Sequence, residues 1–269
     1  MEAWERANEA AKAAGVRLRP LTSVEDADRI LTVMIATWGE HQLLPREMIV
    51  ALGHSGNVPY GAFDGEDLIG YVLGWTGVDP DDGLHTHSHM LATLPERRHR
   101  GVGFALKLAQ RAQCLDQGIS LVRWTFDPLL SRNAHFNLTK LGATADRFLP
   151  DFYGEMGDAL NRGERSDRLV VRWDLSTEAT GSAARSGFDV LERIGGDSML
   201  PVPSEIRAPR DGSALVGIPR DYHDLREHDR ALAERWREAT ALALAACFDA
   251  GLEATGFTDD STYVFTPAA

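Results

Sequence analysis

The sequence is poor in cysteine. Cys114 and Cys247 are its only two in 269 residues, too few for a disulfide framework or a cysteine-rich zinc ribbon. Each falls in a helix-like stretch and reads as a small buried apolar residue, not a nucleophile. Long apolar runs are absent as well, and none reaches the length that spans a bilayer. The opening Met-Glu-Ala-Trp-Glu lacks a basic-then-apolar leader pattern, so a cytoplasmic protein with no membrane partner is expected. Positive charge is in deficit: 28 Lys and Arg stand against 40 Asp and Glu, a net charge of -12. That balance repels a phosphate backbone and argues against nucleic-acid binding. It suits a cationic or amine-bearing small molecule. With 43% hydrophobic and 25% charged residues the chain is otherwise an ordinary globular one, expected as a monomer or homodimer, and it shows no internal repeat.

What is present is a concentrated basic stretch, Pro95-Glu96-Arg97-Arg98-His99-Arg100-Gly101-Val102-Gly103, between a strand-like and a helix-like segment. Its glycines let the backbone turn sharply and approach a ligand with no Cβ in the way. The N–H groups of Gly101, Val102, Gly103 and Phe104 fall where the helix begins. A helix start carries unpaired donors and positive potential, and phosphate is its natural partner. Arg97, Arg98 and Arg100 add charge there, and Lys107 follows one turn on. The stretch reads as a pyrophosphate cradle; the alternative is a glycine turn before a solvated surface helix. It is not a P-loop, because no Gly-Lys-Ser/Thr follows. It is not a dinucleotide fingerprint either, because position 106 is Leu where a third glycine is required.

Periodicity predicts helices over 2–14, 23–37 with a Ser23 cap, 45–52, 103–117 and 133–141, and strands over 16–21, 84–94, 120–126 and 167–175. Residues 60–75 read as a hairpin around Asp64-Gly65. In the 103–117 helix, Phe104, Leu108, Ala112 and Leu115 are expected to face inward. Residues 176–187 have linker composition. Beyond them a strand at 214–218, a helix up to Ala250 and strands at 253–257 and 262–265 form a small β-α-β-β unit. Its helix carries Leu225, Leu232, Trp236, Ala243 and Cys247 on one side. The expected organisation is therefore a domain over 1–175, a linker over 176–187, and a small unit over 188–269 packed on the first.

In this order the elements carry two motifs at a set spacing: Arg98-x-x-Gly101-x-Gly103 opening a helix, then Asn133 ahead of Lys140-Leu141-Gly142-Ala143. Together they resemble the GNAT superfamily of acyl-CoA-dependent N-acetyltransferases over about residues 16–175. Trp124-Thr125-Phe126-Asp127-Pro128-Leu129 with Arg132-Asn133-Ala134-x-Phe136-Asn137 is similar to a bacterial branch with a C-terminal extension. The resemblance implies an α/β (α+β) fold: a twisted mixed sheet with flanking helices, whose central parallel strands splay apart to admit acyl-CoA. It implies acetyl-CoA or another acyl-CoA as co-substrate. The loop residues Arg98, His99, Arg100, Gly101, Val102, Gly103 and Phe104 would hold the CoA pyrophosphate. Met90, Leu91 and Ala92 would bond the pantetheine arm and thioester carbonyl, and Asn133 would meet the pantetheine end. One position departs from the pattern. Where many members have a Tyr as acid for the thiolate, two residues before Lys-Leu-Gly, this chain has Leu138.

Attack of an amine on a thioester needs the amine neutral, a proton acceptor, and a donor for the leaving thiolate. His85, His87 and His89 lie at i, i+2 and i+4 on one strand. They are poorly spaced for a single tetrahedral metal, and no metal is expected. His85 reads as a partly exposed polar residue. His89, nearest the thioester strand, is either the base or a bystander. Glu40 could bind or deprotonate an amine, or be a charged loop residue; Trp38 and His41 lie beside it. Trp124 and Asp127 end a strand where ligands often bind. Asp127 either receives an ammonium or makes a turn with Pro128. Tyr153 is the nearest alternative to the missing acid. The function expected is acetyl transfer from acetyl-CoA to a small-molecule amine by direct attack in a ternary complex. A succinyl or other acyl donor with an amino-acid amine, and a non-catalytic acyl-CoA-binding module, remain alternatives.

Overall fold

The structure, a computed structural model, describes residues 1–40, 43–97, 100–155, 163–177, 185–195, 200–210 and 212–268. The fold is mixed α/β, and the chain divides into two compact units. One holds Met1–Trp124 with Glu155–Glu164, the other Thr125–Gly154 with Arg165–Ala269.

In the first unit the elements run α1 (Glu2–Ala13), β1 (Arg17–Pro20), α2 (Val24–Trp38), α3 (Arg46–His54), β2 (Tyr60–Asp64), β3 (Asp67–Asp79), β4 (Gly83–Thr93), α4 (Val102–Asp116) and β5 (Leu121–Phe126). The strands pair in chain order, antiparallel except for β4 and β5, which are parallel. The start of α2 follows from its sequence. Ser23 accepts from the Asp26 N–H in a capping box, and Arg19 grips the Asp26 carboxylate at 2.7 and 2.9 Å. These bonds hold Asp26 at a pKa of about 2. Ile30, Val33 and Met34 of α2 pack with Tyr71, Leu73 and Ala92 on one face of the sheet. On the other, Val102 and Leu106 of α4 pack with Ala62, Ile69 and Val72.

The inward set expected for α4 is displaced. Phe104 and Leu115 are only half-buried, whereas Ala105, Leu106, Lys107, Ala109 and Gln110 are buried with Leu108 and Ala112. The helix is covered over most of its circumference, because α1 lies against its outer side. A one-stripe reading misses a helix of that kind.

The second unit contains α5 (Ser131–Ala134) running into a π-helix over His135–Lys140, then β6 (Thr144–Leu149), β7 (Arg168–Asp174), β8 (Phe188–Leu191), β9 (Arg193–Ile194), β10 (Val202–Pro203), β11 (Ala214–Gly217), α6 (Tyr222–His228), α7 (Arg230–Asp249), β12 (Leu252–Phe257) and β13 (Thr262–Pro267). Its sheet order is β7-β6-β12-β13-β11-β8. Strands β6, β8, β9 and β10 go beyond the sequence expectation. Asp229 splits the expected long helix by capping the Leu232 N–H of α7. The face of α7 is as expected, with Leu232, Trp236, Ala243 and Cys247 buried. The two units part at Trp124/Thr125, inside the 1–175 segment, and residues 125–154 share a unit with the C-terminal strands. Of the 176–187 segment, 178–184 lie outside the described residues.

Candidate active site

Strand β4 organises the site. Its ladder with β3 runs Val72↔Leu91, Leu73↔Met90 and then Gly74↔Ser88, so His89 is an extra, bulged residue. A bulge bends its strand and strengthens its twist. Close to it, β3 has a glycine for a steric reason. A Cβ on Gly74 would lie 2.5 Å from the His87 carbonyl oxygen and 3.0 Å from the Ser88 Cα. On its other edge β4 meets β5, among the described residues, only at Thr86↔Val122 and His87↔Arg123. The two parallel strands thus form a fork that opens at the bulge. Among the described residues, Ser88 to Thr93 of β4 show no ladder pairing with β5, which leaves β5-side N–H donors for a ligand.

The bulge ends the strict alternation that put three histidines on one face. The Trp75 ring stands 5.1 Å from that of His87 and 4.8 Å from that of His89, and the two imidazoles are 5.9 Å apart. Burial pushes the His87 imidazole down to about 4, helped by the neighbouring His89, His85 and Lys107 charges. His89 is exposed at the bulge, and partial desolvation of its ring lowers it as well. Both rings are therefore neutral at pH 7 and able to accept a proton. His85 corrects its expectation. It is buried against Gly77, its Nδ1 3.0 Å from the Gly83 carbonyl oxygen and 3.6 Å from Asp79. Among the described residues no three metal-ligating side chains converge.

The glycine loop has the geometry its sequence asks for. Gly101 caps α4 in the left-handed region at φ 83°, where a side chain is strained. A Cβ on Gly103 would meet only Leu91 Cδ2, at 3.7 Å. Gly103 is therefore not required by packing within the chain. The cationic surround is thinner than the composition suggests. Arg97 is paired with Asp64 at 2.5 Å, Arg100 is exposed, and Arg98 and His99 lie outside the described residues. Lys107 is not part of the cradle but is buried deeper in α4.

Met90 and Trp75 pack with Trp38 against the core on the α2 side of the sheet, and Ala92 belongs to that core. Leu91 points to the α4 side. Glu40 is exposed just beyond α2, and its neighbour His41 lies outside the described residues. Two expected substrate contacts serve inside the fold. Trp124 is buried beneath Lys107, whose Nζ stands 3.7 Å above its ring. Asp127 has both carboxylate oxygens taken by Arg237, at 2.7 and 2.9 Å, and also accepts from the Leu129 N–H. In the same unit Asn133 is exposed on α5 and Leu138 is buried in the π-helix. The Tyr153 hydroxyl lies 3.2 Å from Thr125 Oγ1. Neither thiol is poised for attack. Cys114 is buried against Thr86 Oγ1 at 3.2 Å with its pKa raised by burial, and Cys247 is pushed up to about 12.

Residues 26–142 match the sequence profile of the acetyltransferase (GNAT) family. The chain carries a GNAT acetyltransferase domain. The match over these residues supports an acyl-CoA-dependent acyltransferase. No curated protein matches the chain. Among solved structures, the NatC complex bound to Gag peptide and CoA superposes with a TM-score of 0.50 at 14% identity, covering 59% of this chain and 98% of that one. Naa20 of Chaetomium thermophilum with a bisubstrate analogue gives 0.49 at 19% identity, covering 60% and 87%. The putative acetyltransferase yncA of Salmonella typhimurium with acetyl-CoA gives 0.49 at 13% identity, covering 63% and 99%. At these identities the likeness is one of fold.

Proposed function

We propose that this GNAT domain transfers an acyl group, acetyl in the first instance, from its CoA thioester to a small-molecule amine by direct attack. The observation that carries the reading is the β4/β5 fork opening at the His89 bulge. The pyrophosphate sits on the α4 N-terminus at Gly101–Phe104, flanked by Arg98, His99 and Arg100. The pantetheine arm runs along the β5-side edge of β4 at Met90–Ala92. A β4 N–H faces the thioester carbonyl and stabilises the oxyanion. His89, neutral and beside the fork, takes the proton of the attacking amine, and Glu40 and Trp38 approach the amine from the end of α2. The acyl group passes to the amine nitrogen, the C–S bond breaks, and CoA leaves as the thiolate. The two buried thiols favour this route over an acyl-enzyme.

Calorimetry with CoA and a turnover assay with acetyl-CoA over a panel of amines test the reading. Gly103→Val leaves the chain room to fold but places a side chain where the pyrophosphate must come, so CoA binding is expected to be lost. Equal CoA affinity in that variant rejects the cradle.

A further inference from the structure

The chain has three lysines, Lys12, Lys107 and Lys140, and the middle one is buried at 2% exposure. Its Nζ donates to Ser88 Oγ at 2.8 Å and to Gln110 Oε1 at 3.1 Å, and it stands 3.7 Å over the Trp124 ring. Ser88 is the β4 residue next to the bulge. Trp124 follows directly on Val122 and Arg123, the last β5 residues paired with β4. The ammonium therefore bridges the two strands where they part. Hydroxyl and amide oxygens and an aromatic face are all acceptors for an ammonium.

We propose that Lys107 is the positioning residue of the fork, tying β4 at Ser88 to β5 at Trp124 and setting a positive charge beneath the gap that takes the thioester. A charge there stabilises the electron density that gathers on the thioester oxygen and then on sulfur, acting through Ser88 and the β4 backbone. Burial disfavours the cation and pushes Lys107 down to about 7. Among the described residues the titratable groups interacting with it include Cys114 on its own helix and His87 on β4; β5 faces it with the Trp124 ring. This assignment rests on the acyl-CoA reading above.

The test compares Lys107→Met, Lys107→Arg and Ser88→Ala with the wild-type chain. Lys107→Met keeps length and removes charge, and exchange of a buried charge for an apolar group is often tolerated. It is expected to lower kcat by about 10- to 100-fold, the scale of a small misplacement of reacting groups. CoA affinity, set at the Gly101 turn, should stay within about threefold. Wild-type kcat should decline as pH rises through the Lys107 ionisation, and Lys107→Met should lack that limb. A larger guanidinium in the same space should not restore the rate, and Ser88→Ala should fall between. Lysine-selective labelling gives three side-chain NMR signals, and the one missing from Lys107→Met should move when acetyl-CoA is added. Wild-type kcat and pH profile in Lys107→Met, or a Lys107 signal indifferent to acetyl-CoA in a chain that turns it over, overturns the proposal. A wild-type chain that neither binds CoA nor cleaves acetyl-CoA instead overturns the placement of the thioester, and this proposal with it.

Discussion

Arg237 of α7 holds both carboxylate oxygens of Asp127 in a buried, two-bonded ion pair, across 110 residues of chain. The Arg237 guanidinium also stands 4.9 Å over the Tyr222 ring, and close by the Tyr263 hydroxyl donates to the Pro128 carbonyl at 2.7 Å. The turn after β5 is therefore fixed by residues from the C-terminal extension. Removing one partner of a buried pair strands the other charge at a cost of about 3–5 kcal/mol. Arg237→Ala is expected to lower the free energy of unfolding by that amount in urea titrations. Asp127→Leu with Arg237→Met should lose much less than the two single changes summed. A chain ending at Leu175 lacks Arg237 and Tyr263 and should lose cooperative unfolding.

Proton transfer by His89 sets the expectation for the histidines. His89→Ala should lower turnover by about 10²–10⁴-fold with CoA affinity nearly unchanged. A wild-type rate would remove His89 from the mechanism and leave Glu40 or a water chain as the base.

Stability should depend on pH through His87. Its pKa is about 4 in the fold against the ordinary value of 6.5, so between these values the unfolded chain binds the extra proton. Stability is then full above pH 6.5 and declines as pH falls toward 4. A second loss begins below 3.8, where Asp26, held at about 2, gives up its contribution. Thermal midpoints measured from pH 7 to 4 should fall, and His87→Phe should flatten that slope.

The two glycines of the loop should respond differently. Gly101→Ala places a side chain at φ 83° and should cost about 1–3 kcal/mol of stability. Gly103→Ala, with ordinary space around its Cβ, should leave the unfolding free energy nearly unchanged. Denaturant titration of both variants distinguishes backbone strain from ligand approach.

Cys114→Ser should retain turnover, because the thiol is buried against Thr86 with its pKa raised. Loss of all turnover in a folded Cys114→Ser chain would point to an acyl-enzyme.

The glycine turn, the α2 cap and the strand leading into the loop were legible because each depends on local chemistry: a left-handed residue, a Ser–Asp box, a two-residue period. The bulge at His89 was not, because it arises from register against β3 and the close approach at Gly74, which only pairing reveals. The burial of Lys107 was hidden for a related reason. A basic residue one turn into a helix reads as solvated until the helix is seen to be covered on its outer side by α1. Asp127 read as a turn or an amine ligand because its partner lies far along the chain, beyond any periodic signal. Strands β8, β9 and β10 are four, two and two residues long, too short for alternation to declare them.

The position of β13 has a consequence for the order in which the molecule can be made. It follows β11 and β12 in sequence, yet it lies between β12 and β11 in the sheet, and its Tyr263 reaches back 135 residues to Pro128. Pairings that close loops of this length are slow to form. A ribosome must release the chain through β13 before the second unit can close. Until then β11 and β12 each present an unpaired edge. Growing chains should therefore be at greatest risk of aggregation, and in greatest need of chaperone protection, after β11 and β12 have emerged and before β13 has.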